Sequence, residues 1–222
     1  LRLAYIYSKL NRDDDAIKVY EEILNFNTEM PELYLYLSVE YVHKKDYIKA
    51  ENMLNSALLK FSNNADLHFN LAILLDKTGR FSEMMKHLSQ AIEIDPNHAD
   101  SLNYLGYTMA EKNTNLNEAQ SLIMRAIEIK PDNGSIIDSL GWVYFRKGEF
   151  KEAIEMLERA VGLTKDDPVI LEHLGDAYNS AGQKEKAFES WQKAILFHEK
   201  EEGLKERVEK KIQNLKLEKT GK

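Results

Sequence analysis

A chain of 222 residues that is 43% apolar and 30% charged can bury enough surface to offset the entropy of ordering, which excludes a disordered chain. No apolar run reaches the roughly 18 residues of a membrane span, and the absence of Cys excludes a disulfide framework, a thiolate metal site and a cysteine nucleophile. With 30 Lys/Arg against 37 Asp/Glu the net charge is -7, a poor match for nucleic-acid phosphates.

The charge is uneven: residues 203–222 hold seven Lys/Arg against three Glu, a local +4 that leaves -11 on residues 1–202. The chain starts at Leu1 rather than Met, so it reads as a fragment or processed chain, with a cytoplasmic or periplasmic location equally open. Only 4 Pro and 10 Gly argue against a turn-rich β protein.

Taken in chain order, the sequence repeats itself. Small residues recur at Ala4, Ser38, Ala72, Gly106, Gly141 and Gly175. A second column runs Ala16, Ala50, Met84, Ala119, Ala153, Ala187, and a third Ile23, Ala57, Ala91, Ala126, Ala160, Ala194. All three columns step by 34, with one step of 35, which places a single inserted residue between Gly106 and Ala119, in the stretch Lys112–Asn115. Leu3, Leu37, Leu71, Leu105, Leu140 and Leu174 precede the small residues, and Tyr7, Tyr41, Leu75, Met109, Tyr144 and Tyr178 follow three later. That spacing puts them on one helical face. Turns follow at Asn11–Asp14, Lys44–Asp46, Thr78–Arg80, Lys147–Glu149 and Ala181–Gln183, where Gly79, Gly148 and Gly182 suit a left-handed helix end. A second helix follows each turn. Breaks come at Pro96-Asn97 and Pro131-Asp132, and Pro31 and Pro168 suit the first turn of the next helix.

This pattern resembles the tetratricopeptide repeat over nearly the whole chain, in six copies; the fifth, with Leu140-Gly141-Trp142-Val143-Tyr144, Ala153, Leu157 and Ala160, is the best match. The run of tyrosines and this segment look bacterial. The resemblance implies an all-α fold: an α-solenoid, a right-handed superhelix of antiparallel helix pairs. Its repeats fall at about 1–30, 31–64, 65–98, 99–133, 134–167 and 168–201. After this 1–201 array, Leu204, Val208, Ile212 and Leu215 form a helical stripe that predicts a capping helix over 202–217, its Lys-rich face turned to water, and 218–222 reads as a disordered tail.

The resemblance also implies that the first helix of each pair lines a concave groove, whose columns follow from the small residue. The first three repeats then offer Tyr5, Leu35, Val39, Val42, Phe69 and Ile73. The fourth and fifth add Asn103, Tyr107, Trp142 and Phe145, and Asp138, Glu172 and Asp176 form an acidic end. Such a surface implies a protein or peptide partner laid along the groove through apolar anchors, with a Lys or Arg at the acidic end and Asn103 on its backbone. The Lys/Arg/Asn clamp of chaperone-tail binders is missing, since only Asn70 matches it. A nucleic-acid partner and direct membrane insertion are not expected, and the chain reads as a monomer or weak homodimer.

No catalytic residue, cofactor site or metal site emerges. The six His form no His-Glu-x-x-His pair, and His68 and His98, near helix starts, read as surface residues. No Gly-rich phosphate loop or nucleophile elbow is present. The function read from the chain is a non-catalytic interaction scaffold. The alternatives are a self-assembly module or the docking or regulatory domain of a larger enzyme.

Overall fold

A computed structural model describes residues 1–220, with side chains as far as Glu218. The helices are α1 (Arg2–Lys9), α2 (Asp13–Phe26), α3 (Pro31–His43), α4 (Tyr47–Lys60), α5 (Ala65–Lys77), α6 (Phe81–Ile94), α7 (Ala99–Glu111), α8 (Leu116–Ile129), α9 (Gly134–Lys147), α10 (Phe150–Thr164), α11 (Pro168–Ser180), α12 (Lys184–Leu196) and α13 (Leu204–Thr220). There is no strand among the described residues. The chain divides into two compact units, Leu1–Ser101 and Leu102–Lys222, parting inside α7 where the repeat pattern has no break. In the first unit each helix from α1 to α6 packs on the next, and α3 also touches α5. In the second, the same holds from α8 to α13, and α11 touches both α9 and α13.

The local signals explain these elements. Asn64, Asn133, Asp46 and Asp167 accept hydrogen bonds from backbone N–H groups in the first turns of α5, α9, α4 and α11. Pro31 and Pro168 start α3 and α11, where no N–H is needed. Every first helix ends alike. The backbone N–H groups of Arg12, Asp46, Arg80, Thr114, Glu149 and Gln183 each donate to the carbonyl five residues back. The residue before each of them is left-handed: Asn11, Lys45, Gly79, Asn113, Gly148 and Gly182. The inserted residue falls after Asn113, where Asn115 adds a second left-handed position (φ 48°) before α8.

Packing follows the three columns. Ala16, Ala50, Met84, Ala119, Ala153 and Ala187 are fully buried, as are Ala57, Ala91, Ala126, Ala160 and Ala194. A Cβ on Gly141 would lie 2.6 Å from Leu157 Cγ, and one on Gly175 2.3 Å from Trp191 Cδ1. Trp191 stands where Ile123 and Leu157 stand in earlier repeats, and the bare backbone of Gly175 is what admits its larger ring. Tyrosines tie successive repeats: Tyr41 Oη donates to Glu21 at 2.6 Å and Tyr178 Oη to Glu158. Burial, reinforced by Glu21, pushes the Tyr41 phenol up to about 12.

Helix α13 continues the repeat. Leu204, Val208 and Ile212 stand 34 residues after Ile170, Leu174 and Tyr178, and α13 packs on α12 and α11 as α11 packs on α10 and α9. It spans Leu204–Thr220 and so takes in residues 218–220 of the expected tail. Residues 221–222 of that expected tail lie outside the described residues.

Gly175→Ala is predicted to lower the unfolding free energy by about 1–3 kcal/mol through overpacking against Trp191. Gly162→Ala, in the interior of α10 with nothing within 4 Å of the added Cβ, should raise it by about 0.5–1 kcal/mol. Urea titration measures both, and a neutral Gly175→Ala would contradict the close approach.

Candidate functional site

In the second unit, α9 and α11 carry five of the seven site residues singled out from the sequence, and α7 the other two. Phe145 stacks on Trp142 with centroids 4.7 Å apart at 13°, and Trp142 stacks on His173 at 4.2 Å and 19°. The Trp142 indole N–H donates to Glu111, whose backbone carbonyl accepts from Arg146 at 3.3 Å. Trp142, Phe145 and Tyr107 are all half-buried. Burial, then the charge of Glu111, holds the Tyr107 phenol well above its usual ionisation range. Asn103 and Asn179 each keep a buried side-chain oxygen with no hydrogen-bond partner. Beside Phe145 lies a cleft of about 310 Å³ whose walls include Asp176, Asn179, Trp191 and Lys211.

The acidic end is not an open acidic surface. Asp138 is 6% exposed and accepts from His173 Nδ1 at 2.9 Å. Glu172, 4% exposed, accepts from Arg207 Nε at 2.8 Å and Lys211 Nζ at 2.7 Å. Asp176 accepts from Lys211 at 2.6 Å and from the Trp191 indole at 3.0 Å. The partner Lys or Arg expected at this end is therefore supplied by the chain's own α13. Its basic face is likewise not wholly solvated, because Arg207 and Lys211 turn inward onto α11. Buried carboxylates this close together need such cations. Burial favours a neutral His173, but Asp138, with Asp176 and Glu172 behind it, outweighs burial and raises its pKa. Burial likewise dominates at Asp176 and pushes its carboxyl up against the pull of Lys211.

In the first unit, Tyr5 and Val39 are exposed, while Leu35, Val42, Phe69 and Ile73 are half-buried. Lys9 lies over the Tyr5 ring at 5.3 Å and Phe69 leans on His98 at 5.3 Å. The Asn70 amide is turned to the backbone of its own helix, donating to the Asp66 carbonyl at 2.8 Å.

Two histidines read as surface residues are not. His68 is 7% exposed, and its Nδ1 lies 2.9 Å from His87 Nδ1. His68 Nε2 faces the Ser62 carbonyl at 3.2 Å, so Nε2 carries the proton and Nδ1 accepts from His87. His98 accepts from the Ser101 backbone N–H at 3.1 Å and its other nitrogen meets Asp66 at 3.1 Å. Spacing along one helix hides the pair, because His68 and His87 sit on α5 and α6 and meet only when these helices pack.

The histidines therefore titrate in opposite directions. Burial lowers the pKa of His68 and His87, so the folded state resists their protonation and loses stability as pH falls below about 6.5. His173 is raised, so its contribution is full below about 6.5 and is lost as pH rises through the raised value. Imidazole NMR titration should place His173 above 6.5 and the other two below; Asp138→Asn should lower the His173 value, and an unmoved titration would contradict the pairing. Replacing Arg207 and Lys211 together by Met strands Glu172 and should cost about 2–3 kcal/mol on urea unfolding.

Comparison with known proteins agrees with this architecture. The tetratricopeptide repeat matches residues 1–28, 41–105 and 139–201. A TPR repeat-containing protein of Pseudomonas aeruginosa is 27% identical over 157 residues; the match covers 69% of this chain and 26% of that protein, so this chain spans about a quarter of its relative. The crystal structure of the anaphase-promoting complex hetero-tetramer Cut9–Hcn1 superposes with a TM-score of 0.80 over 93% of this chain and 41% of that one, at 13% identity. YrrB, described as a TPR protein with an unusual peptide-binding site, superposes at 0.56 with 25% identity over 77% of this chain and 88% of its own. No helix among the described residues is long and apolar enough to cross a membrane. With its repeat columns, its helix pairs and these matches, the chain belongs to the tetratricopeptide-repeat family, whose fold is that of a protein-interaction scaffold.

Proposed function

We propose that this chain is a non-catalytic scaffold that captures a peptide or helical segment of a partner protein. In the second unit the segment would lie against Tyr107, Trp142 and Phe145, with an apolar side chain entering the cleft beside Phe145. The observation that carries this reading is that cleft: an aromatic wall, an acid–base pair already satisfied, and Asn179 with an unpartnered amide oxygen. A carbonyl oxygen without a donor is costly, and a peptide N–H reached by rotating the amide would satisfy it. Asn103 offers the same on α7. On the first unit, a second stretch of partner would lie against Tyr5, Leu35, Val39, Phe69 and Ile73. The peptide-binding site described for YrrB supports the choice of ligand class.

Because Glu172 and Asp176 already hold internal cations and Asp138 is bonded to His173, the partner needs apolar anchors rather than a basic residue. Affinity is then predicted to change little with salt, since screening acts on exposed charge. A second reading, self-association, is favoured by α1 and the residue after it, where Leu3, Ile6 and Leu10 are exposed. Light scattering over a concentration series separates the two.

Random peptide display against the whole chain tests the main reading. Selected peptides should carry apolar anchors, lose about tenfold or more in affinity on Trp142→Ala or Phe145→Ala, and bind Leu196→Ala unchanged. Peptides indifferent to the first two substitutions, with both variants folded by circular dichroism, would overturn it.

A further inference from the structure

At the contact between α2 and α3, three side chains distant in sequence come together. Asp13 opens α2, and Glu40 and His43 stand one turn apart near the end of α3. One potential ligand atom from each lies within 4.8 Å of the other two. Glu40 is 2% exposed and its Oε2 has no hydrogen-bond partner, whereas Asp13 is half-buried and His43 exposed. Lys44, the neighbouring cation, engages Asp14.

A carboxylate oxygen shut away from water without a donor demands a partner. Three features say what kind. The orphan oxygen belongs to a carboxyl group, a second carboxyl group stands beside it, and the third group is an imidazole. An imidazole with two carboxylates suits a divalent transition ion of the Zn²⁺ type, whereas Mg²⁺ and Ca²⁺ favour all-oxygen sites. Metal–ligand bonds of about 2.0–2.2 Å put tetrahedral ligand atoms about 3.4 Å apart. The cluster must therefore close by at most about 1.4 Å, which the exposed His43 and half-buried Asp13 can supply by side-chain rotation. We propose that Asp13, Glu40 and His43 bind one divalent transition-metal ion that pins the start of α2 to the end of α3. Water would complete the coordination, so the ion joins the second helix of one repeat to the first helix of the next. The cluster escapes motif searches because Asp13 lies 27 residues from Glu40.

The test uses the whole chain after chelator treatment and dialysis, titrated with Zn²⁺, Co²⁺ and Mg²⁺ by calorimetry and thermal melting. One equivalent of Zn²⁺ should bind and raise the melting temperature, as any ligand selective for the folded state does. Mg²⁺ should do neither, and Co²⁺ should give a visible d–d spectrum. His43→Ala, at an exposed position that leaves the fold intact, should weaken Zn²⁺ at least tenfold and abolish the Co²⁺ bands. Glu40→Gln should do the same, with folding checked by circular dichroism. No saturable Zn²⁺ binding by the parent chain would overturn the proposal, as would binding that survives His43→Ala. Loss on His68→Gln or His87→Gln instead would place the ion at the other imidazole pair and equally refute it.

Discussion

Helices can stack at this density only where one of them offers almost no side chain. At Gly175 a single methyl group would intrude to 2.3 Å from an indole ring, and at Gly141 to 2.6 Å from a leucine. The Ala columns meet the same demand from the opposite helix, with no exposed surface at all. Close approach makes the contact area large for a short helix, which is how helices of 13 or 14 residues hold together without a deep central core. Each pair nevertheless leaves one face for its neighbour, so stability accumulates from adjacent contacts along the chain.

The last pair shows how this requirement is met. α13 repeats the buried spacing of α11 one period later and brings Arg207 and Lys211 onto Glu172 and Asp176. The acidic cluster and the basic C-terminal segment, which look like two separate features in the sequence, are the two halves of one contact. The cations sit at 39% and 31% side-chain exposure, so they keep water on one side while neutralising carboxylates that have little. Of the residues singled out for ligand binding, the aromatic ones thereby stand apart from the charged ones. Tyr107, Trp142 and Phe145 stay half-exposed, and the acids are committed to structure.

What the sequence reveals and what it hides divides by distance. Helix faces, the inserted residue near Asn115 and the left-handed ends at Gly79, Gly148 and Gly182 are local and so legible without coordinates, whereas Asn11, Lys45 and Asn113 take the same conformation without a glycine to mark it. The pairing of His68 with His87, and of Asp13 with Glu40 and His43, depends on how neighbouring helices rotate against each other, which no single-helix spacing reports. One longer signal was available. Asp138–His173, Glu172–Arg207 and Asp176–Lys211 are each 35 residues apart, one repeat and one position. Reading columns with that offset would have paired the acids with their cations. The acids expected to meet a partner's cation are paired with side chains of the chain itself.

The most direct test of binding on the aromatic face is the Trp142 indole N–H resonance during titration with a partner segment. Its hydrogen bond to Glu111 and its stacking between Phe145 and His173 make it sensitive to anything laid on that face. A partner segment seated on that face should give a large, saturable shift of this resonance that tracks the binding isotherm. A segment that binds to saturation and leaves the resonance where it was would contradict binding on that face.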